Sequence, residues 1–380
     1  MDWEPHAGQL AAEVTDPVSR WRPVVASVPR HVFVPCWWEW SDPDEWAAVT
    51  GDADELRWMD AAYRDRTLVT RLGAAHADHA RPGDCADGRP TSSATQPGLV
   101  VAMYRHAGLT DDVDVLDIGT GSGYGCALLA RRLGAHHVTS ADIDEYLVKA
   151  AAERLASAGL HPEVTVCEAT GPLPGRYDRI VSMMSVAPIP ASWLAALRPA
   201  GRLVTVLAGT GLLVTADKTP DGGAAGRTEW YRAGFMTARN GPDYPPSLLD
   251  QHPQARGGDG EQVTTGRYPV VNIGNAWELY SMLGVTLPGI EHHYQETDGQ
   301  RTAWLLHPDG SWARATAIAG DPPVVHQSGA RRLWDSLDEI RYAWLRDGKL
   351  PAYGASVTIA PDGTITLTRG RWQATITQTV

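Results

Sequence analysis

The run Asp117-Ile118-Gly119-Thr120-Gly121-Ser122-Gly123-Tyr124-Gly125 holds the residues best placed to do chemistry. Its glycines let the backbone approach a ligand closely, and the apolar run before them (113–118, VDVLDI) reads as a strand that delivers the loop at its C-terminal end. A dinucleotide loop needs G-x-G-x-x-G. From Gly119 the sixth residue is Tyr124, and from Gly121 it is Cys126, so that frame fails. Asp117 would repel a pyrophosphate but suits a ligand that carries an ammonium and no phosphate. S-adenosyl-L-methionine is such a ligand. Asp142 stands about 20 residues on, at the end of the next strand, where a carboxylate takes ribose hydroxyls. The plainer alternative is a tight strand–helix turn, with Asp142 capping the helix that follows.

The pattern around the loop predicts what positions it. Strands are expected at 113–118, 137–143, 163–168, 179–186 and 202–208, and helices at 98–108, 123–134, 145–158 and 191–198. Strands alternating with helices of this length predict an α/β fold with a doubly wound, Rossmann-like parallel sheet. Before it, 17–36 reads as a short helix and a Pro-bounded turn, followed by a long excursion to about residue 91. After it, the Gly/Pro-rich 241–265 stretch reads as a linker. Residues 266–380 read as a small added α+β domain, with a helix at 274–283, strands at 300–307 and 311–318, an amphipathic helix at 330–347 and a hairpin turning at Pro361-Asp362-Gly363. The expected division is therefore 1–240 for the donor-binding domain, with a substrate-side insertion at about 41–91, then the linker, then the added domain.

Composition narrows the classes. The chain has 380 residues, with 33 Lys+Arg against 45 Asp+Glu, a net charge of −12. An acidic surface repels phosphate backbones, so nucleic acid is not an expected partner. No apolar run reaches the length that spans a bilayer, so no membrane partner is expected either. Cys36, Cys85, Cys126 and Cys167 are far apart without a CxxC pair, which argues against a disulfide scaffold and predicts reduced cytoplasmic thiols. His76-Ala77-Asp78-His79 lacks a third metal ligand at useful spacing, so no metal is expected. The Trp37-Trp38-Glu39-Trp40 cluster either grips a peptide or is buried.

Three further stretches carry a resemblance. Val28 to Pro35 is similar to V-P-R-x-x-F-V-P, Ala62-Tyr63-Arg64-Asp65 to A-Y-x-D, and Ser92 to Pro97 to Q-T-I-S-Q-P. Together with Val115 to Gly125, these motifs resemble the protein-L-isoaspartate O-methyltransferases over about residues 15–210. The resemblance implies a catalytic hydroxyl at Thr95, where the family has serine, with Ser93 and Ser92 beside it. It implies a donor set of Ala94, Asp117, Gly119, Thr120, Gly121, Gly123, Asp142, Ile143, Thr170 and Gly171, with S-adenosyl-L-homocysteine as the demethylated product. The family's G-D-G aligns with Ala169-Thr170-Gly171, so its aspartate is missing and Glu168 stands nearby. The excursion before Ser92 and everything after about residue 240 depart from the common family pattern. In those respects the chain resembles longer members that accompany the maturation of ribosomal peptides such as graspetides, lanthipeptides and lasso peptides.

The chemistry expected is attack of an aspartyl carboxylate on a sulfonium methyl group. A carboxylate with a pKa near 4 is ionised at pH 7 and needs no base. The work left is placement, with Thr95 and Ser93 or Ser92 holding the carboxylate by hydrogen bonds. The ester then closes to a succinimide (aspartimide) or goes on to isoaspartate. The expected acceptor is a modified, macrocyclic ribosomal precursor peptide. Repair of isoaspartate in general proteins, and a non-catalytic donor-binding peptide chaperone, are the alternatives. The alternative for the hydroxyls is that they only cap the helix starting near Pro97.

Overall fold

The computed structural model describes residues 2–42, 45–241 and 243–377. Its centre is a parallel sheet of Val115–Ile118, Val138–Asp142, Glu163–Val166, Tyr177–Val186 and Leu197–Leu207. In space the third of these lies at one edge, followed by the second, first, fourth and fifth. The glycine loop leaves the first strand at the point where the order reverses, which is where open α/β sheets bind ligands. The strands are apolar runs because both faces are covered. Leu116, Ile180 and Leu203 enter one apolar cluster, while their neighbours Val115, Val181 and Val204 enter another on the opposite face. The expected Rossmann-like alternation of strands and helices is present.

The sheet does not stop with the parallel strands. Leu212–Lys218 and Ala224–Arg232 continue it antiparallel, and Ser356–Ile359, Ile365–Arg369 and Trp372–Ile376 then complete ten strands. The expected hairpin at residues 361–363 thus forms, but it pairs with Ala224–Arg232 and covers what would otherwise be an exposed sheet edge. An added five-stranded antiparallel sheet is built from Gln262–Thr265, Glu291–Thr297, Gln300–Leu306, Trp312–Ile318 and Val324–Ser328. Leu333, Leu337 and Ile340 of the helix Leu333–Arg346 are buried in the same apolar cluster as Leu116 and Ile180. The C-terminal residues therefore share a core with one face of the parallel sheet.

Two stretches differ from their sequence reading. The 241–265 stretch carries short helices at Leu248–Gln251 and Gln254–Gly257, and Leu249 and Ala255 are buried against Leu306 and Trp312. Gly and Pro mark turns there, but turns can be packed. The excursion before residue 91 forms a small antiparallel sheet containing Cys36–Asp42, Glu45–Thr50, Leu68–Leu72 and Pro90–Ala94. It lacks a clean two-residue alternation because Trp37 and Trp38 are both buried, in separate clusters. Trp40 is 57% exposed and stacks on Trp46 at 4.0 Å. An N-terminal helix, Glu4–Val14, was not expected from the sequence. Among the described residues no helix is long and apolar enough to cross a membrane.

Candidate functional site

The loop geometry follows from its glycines. Gly119 and Gly121 have φ of 90° and 51°, the left-handed region that disfavours a side chain. A Cβ on Gly121 would lie 3.2 Å from the Ser93 carbonyl oxygen, and one on Gly119 would lie 3.4 Å from the Met183 carbonyl carbon. The loop is therefore pressed between the hydroxyl-bearing strand and the end of Tyr177–Val186. Gly123 does a different job: a Cβ there would sit 3.0 Å from that of Ala151, so it sets helix packing and does not face the cleft.

Above the loop lies an open cleft. Of the expected site residues, Ser92, Ser93, Thr95, Gly119, Gly121, Asp142, Ile143 and Thr170 line it, and Glu168 and Ala169 join them. Asp117 and Thr120 line a small adjoining chamber that shares Ser93, Thr95, Gly119 and Met183 with the cleft. Ala94 is buried in the strand and lines neither, and Gly171 faces a separate surface hollow. The Thr170 hydroxyl donates to Glu168 Oε1 at 2.8 Å, which joins the two polar side chains nearest the position of the missing aspartate.

Asp117 is fully buried, and Asp142 is half-buried at the cleft. Asp117 Oδ1 accepts from the Tyr104 hydroxyl at 3.1 Å and Oδ2 from Ser140 at 2.9 Å. Burial pushes its carboxyl up to about 7, against the opposing effect of the Ser140 and Tyr104 bonds. Asp142 Oδ2 accepts from the Gly121 amide at 2.9 Å and Oδ1 from the Asp144 amide at 3.1 Å. Burial raises this carboxyl too, opposed by those two amides. The helix Glu145–Ser157 is capped by Asp144, which accepts from the Tyr146 and Leu147 amides, and not by Asp142. Asp142 is left to brace the glycine loop.

The three motif stretches converge on the hydroxyl segment. The fully buried Arg30 guanidinium donates to the carbonyls of Ala62, Arg64, Arg66, Ala94 and Thr95, at 2.7 to 3.4 Å. Asp65 accepts from the Gly98 amide at 2.6 Å and from Gln96 Nε2 at 2.8 Å. The start of the helix Pro97–His106 is therefore held by Asp65, 33 residues away, and no side chain at its own N-cap serves it. The Ser93 and Thr95 hydroxyls are not spent on that cap.

One wall of the cleft was missed from the sequence. Residues 234–240 and Tyr244 line it, held beside the strand end by the Ser185 amide donating to the Met236 carbonyl and the Ala238 amide donating to the Ser185 carbonyl, both at 2.9 Å. This wall brings Arg239 to the cleft, where its charge stabilises the carboxylate form of Asp142. No motif flags Arg239, since an isolated arginine in a Gly/Pro-rich region has no local signature. His76 and His79 instead flank the Tyr146 ring, each with centroids 4.4 Å away, and Asp78 pairs with Arg154. Among the described residues no group of three or more His, Cys, Asp or Glu could hold a metal ion.

Residues 82–230 match the family model described as protein-L-isoaspartate(D-aspartate) O-methyltransferase. The chain is similar to the protein-L-isoaspartate O-methyltransferase 2 of Pelobacter propionicus, 38% identical over 134 residues, covering 34% of this chain and 56% of that protein. It is also similar to the protein-L-isoaspartate O-methyltransferase of Protochlamydia amoebophila, 36% identical over 157 residues, covering 40% of this chain and 71% of that protein. A solved protein-L-isoaspartate O-methyltransferase structure aligns over 98% of both chains at 16% identity, with a TM-score of 0.48. The chain spans little more than half the length of several of these curated relatives, 56–58%. The match to the Protochlamydia protein, at 36% identity, extends over more than two thirds of that protein's length. On that footing this chain belongs to the protein-L-isoaspartate(D-aspartate) O-methyltransferase family.

Proposed function

We propose that the chain transfers the methyl group of S-adenosyl-L-methionine to an aspartyl-derived carboxylate of a polypeptide. The observation that carries this reading is one cleft joining the glycine loop and Asp142 to the Ser93 and Thr95 hydroxyls. The residues present fit such a donor. Asp142, Glu168 and Thr170 are polar, Ile143, Ala169 and Met183 are apolar, and Asp117 opens off the cleft through the small chamber. The donor supplies an electrophilic methyl group on a sulfonium. Asp117 receives its ammonium, and Asp142, braced by Gly121, orients its ribose. Thr95 and Ser93 donate hydrogen bonds that aim the acceptor carboxylate, and Arg239 offsets the acceptor's charge at the mouth. The reaction cancels a negative against a positive charge, so a cleft that excludes water favours it. No general base is required, and closure of the ester to a succinimide by the following backbone nitrogen needs no side chain.

The acceptor we favour is an aspartate of a modified ribosomal peptide, a reading supported by the residues outside the matched 82–230 region. Repair of isoaspartate in general proteins is the second reading, favoured by the names of the similar proteins. The test is mass spectrometry after incubation with donor and either generic isoaspartyl peptides or a macrocyclic aspartyl precursor. Methyl ester on generic peptides alone would sink the dedicated role. Ester on neither would sink carboxyl methyl transfer.

A pH dependence follows from Asp117. Its folded carboxyl titrates at about 7, above its ordinary range, so the protonated form is favoured in the folded chain without donor. That contribution to stability is fully present below about pH 4 and is lost as pH rises through about 7. Donor binding runs the other way, because only the carboxylate attracts an ammonium. Affinity for S-adenosyl-L-homocysteine is expected to rise about tenfold between pH 6 and 8 in calorimetry, and to flatten in Asp117→Asn. An unchanged slope in that variant would remove Asp117 from the ammonium site.

A further inference from the structure

Tyr244 stands between two hollows. On one side it lines the cleft, and on the other it lines an open trough with Arg89, Pro245, Pro246, Asp250 and Glu291–His293. The tyrosine is pinned in this position. Its hydroxyl donates to the Thr237 carbonyl at 2.8 Å, the Arg89 guanidinium lies 5.7 Å from its ring centroid, and Arg89 donates to the Pro245 carbonyl at 3.1 Å. Apart from Gly88 and Arg89, every residue of the trough falls outside the region matched to the family, 82–230.

We infer that this trough receives the polypeptide on one side of the acceptor carboxylate. The inference rests on the carboxyl methyl transfer proposed above. An acceptor residue seated in the cleft belongs to a chain that must leave along the surface, and the trough is a concave path continuous with the cleft at Tyr244. Its chemistry fits a polypeptide of mixed sequence and not a polyanion. Glu291 is engaged by Ser247, the Leu248 amide and His293, and Asp250 pairs with Arg256, while the exposed Asp243 carboxylate would repel a polyanion. The tyrosine ring, two prolines and His292 then offer apolar and stacking surface, with Arg89 as the exposed cation. Because most of the binding surface comes from chain outside the family match, it is acceptor selection, and not the transfer step, that it would add.

The test uses the full chain saturated with S-adenosyl-L-homocysteine, so that no methyl transfer is needed. Binding is read by fluorescence anisotropy with two labelled probes. One is an isoaspartyl tetrapeptide, and the other carries the same centre extended on both sides. The extended probe should bind more tightly, and His292→Ala should reduce that advantage, about a threefold loss. The same variant, whose site lies in the trough alone, should leave the tetrapeptide and the donor product binding as before, which also confirms that it is folded. A benzophenone placed in the extension should crosslink the unaltered chain within 243–250 or 291–293. Equal affinity for both probes, equal losses for both in the variant, or crosslinks confined elsewhere would each overturn the trough as the acceptor path. If crosslinks fall in the trough but no acceptor is ever methylated, the transfer reading fails while the binding surface stands.

Discussion

Arg30→Met is expected to cost about 3–5 kcal/mol of stability and to abolish methyl transfer at temperatures where the variant is still folded. The guanidinium is wholly buried and has five carbonyl acceptors drawn from two separate chain segments, 62–66 and 94–95. Burial lowers its pKa to about 10, with Tyr124 and Asp65 opposing the shift, so it remains charged at neutral pH. Methionine fills similar volume but donates nothing, leaving those carbonyls without a partner in a dry site. The Ala94–Thr95 backbone then loses its anchor, and the hydroxyl it carries moves relative to the glycine loop. Arg30→Lys should fall between, because one ammonium has three protons and cannot fan across five acceptors. Chemical denaturation measures the first effect, and turnover under native conditions measures the second. A variant with unaltered unfolding midpoint would show that the carbonyls find other partners.

Thr95→Ala is expected to lower kcat by about a hundredfold while leaving S-adenosyl-L-homocysteine affinity within twofold. Thr95 lines both the cleft and the chamber beside Asp117, where the proposed transfer would bring donor and acceptor together. Its backbone is held by Arg30 and the next helix by Asp65, so the alanine variant should keep its fold. Thr95→Ser should retain most activity, since the hydroxyl is kept. Ser93→Ala should cost less if Thr95 is the principal donor. Single-turnover kinetics separates the effect from product release. Loss of donor affinity in parallel with kcat would point to a disturbed glycine loop and not to lost acceptor placement.

The parts legible in the sequence are those written in short runs. The strand, glycine turn and helix at 115–133 follow from apolar periodicity and from glycines that admit positive φ. Asp142 was legible because its place depends on strand length alone. The motif residues Arg30 and Asp65 were visible as part of a resemblance, but their work was not. Each reaches across more than 30 residues of chain to a partner that no local pattern names. The fate of the Trp37–Trp40 cluster was hidden for a related reason: Trp37 and Trp38 enter separate apolar clusters, while Trp40 stays exposed.

By itself, then, the sequence determined the parallel sheet, the donor loop and the chemical types available at Ser92 to Thr95, because these depend on neighbours within a few turns or strands. The tertiary structure decided how they meet. It set Asp65 in place of the local hydroxyls as the holder of the Pro97 helix, brought Arg239 and Tyr244 to the cleft wall, and joined the closing hairpin to the edge at Ala224–Arg232. Those outcomes depend on pairings between distant segments, where many partners have similar local propensity and only packing in three dimensions selects one.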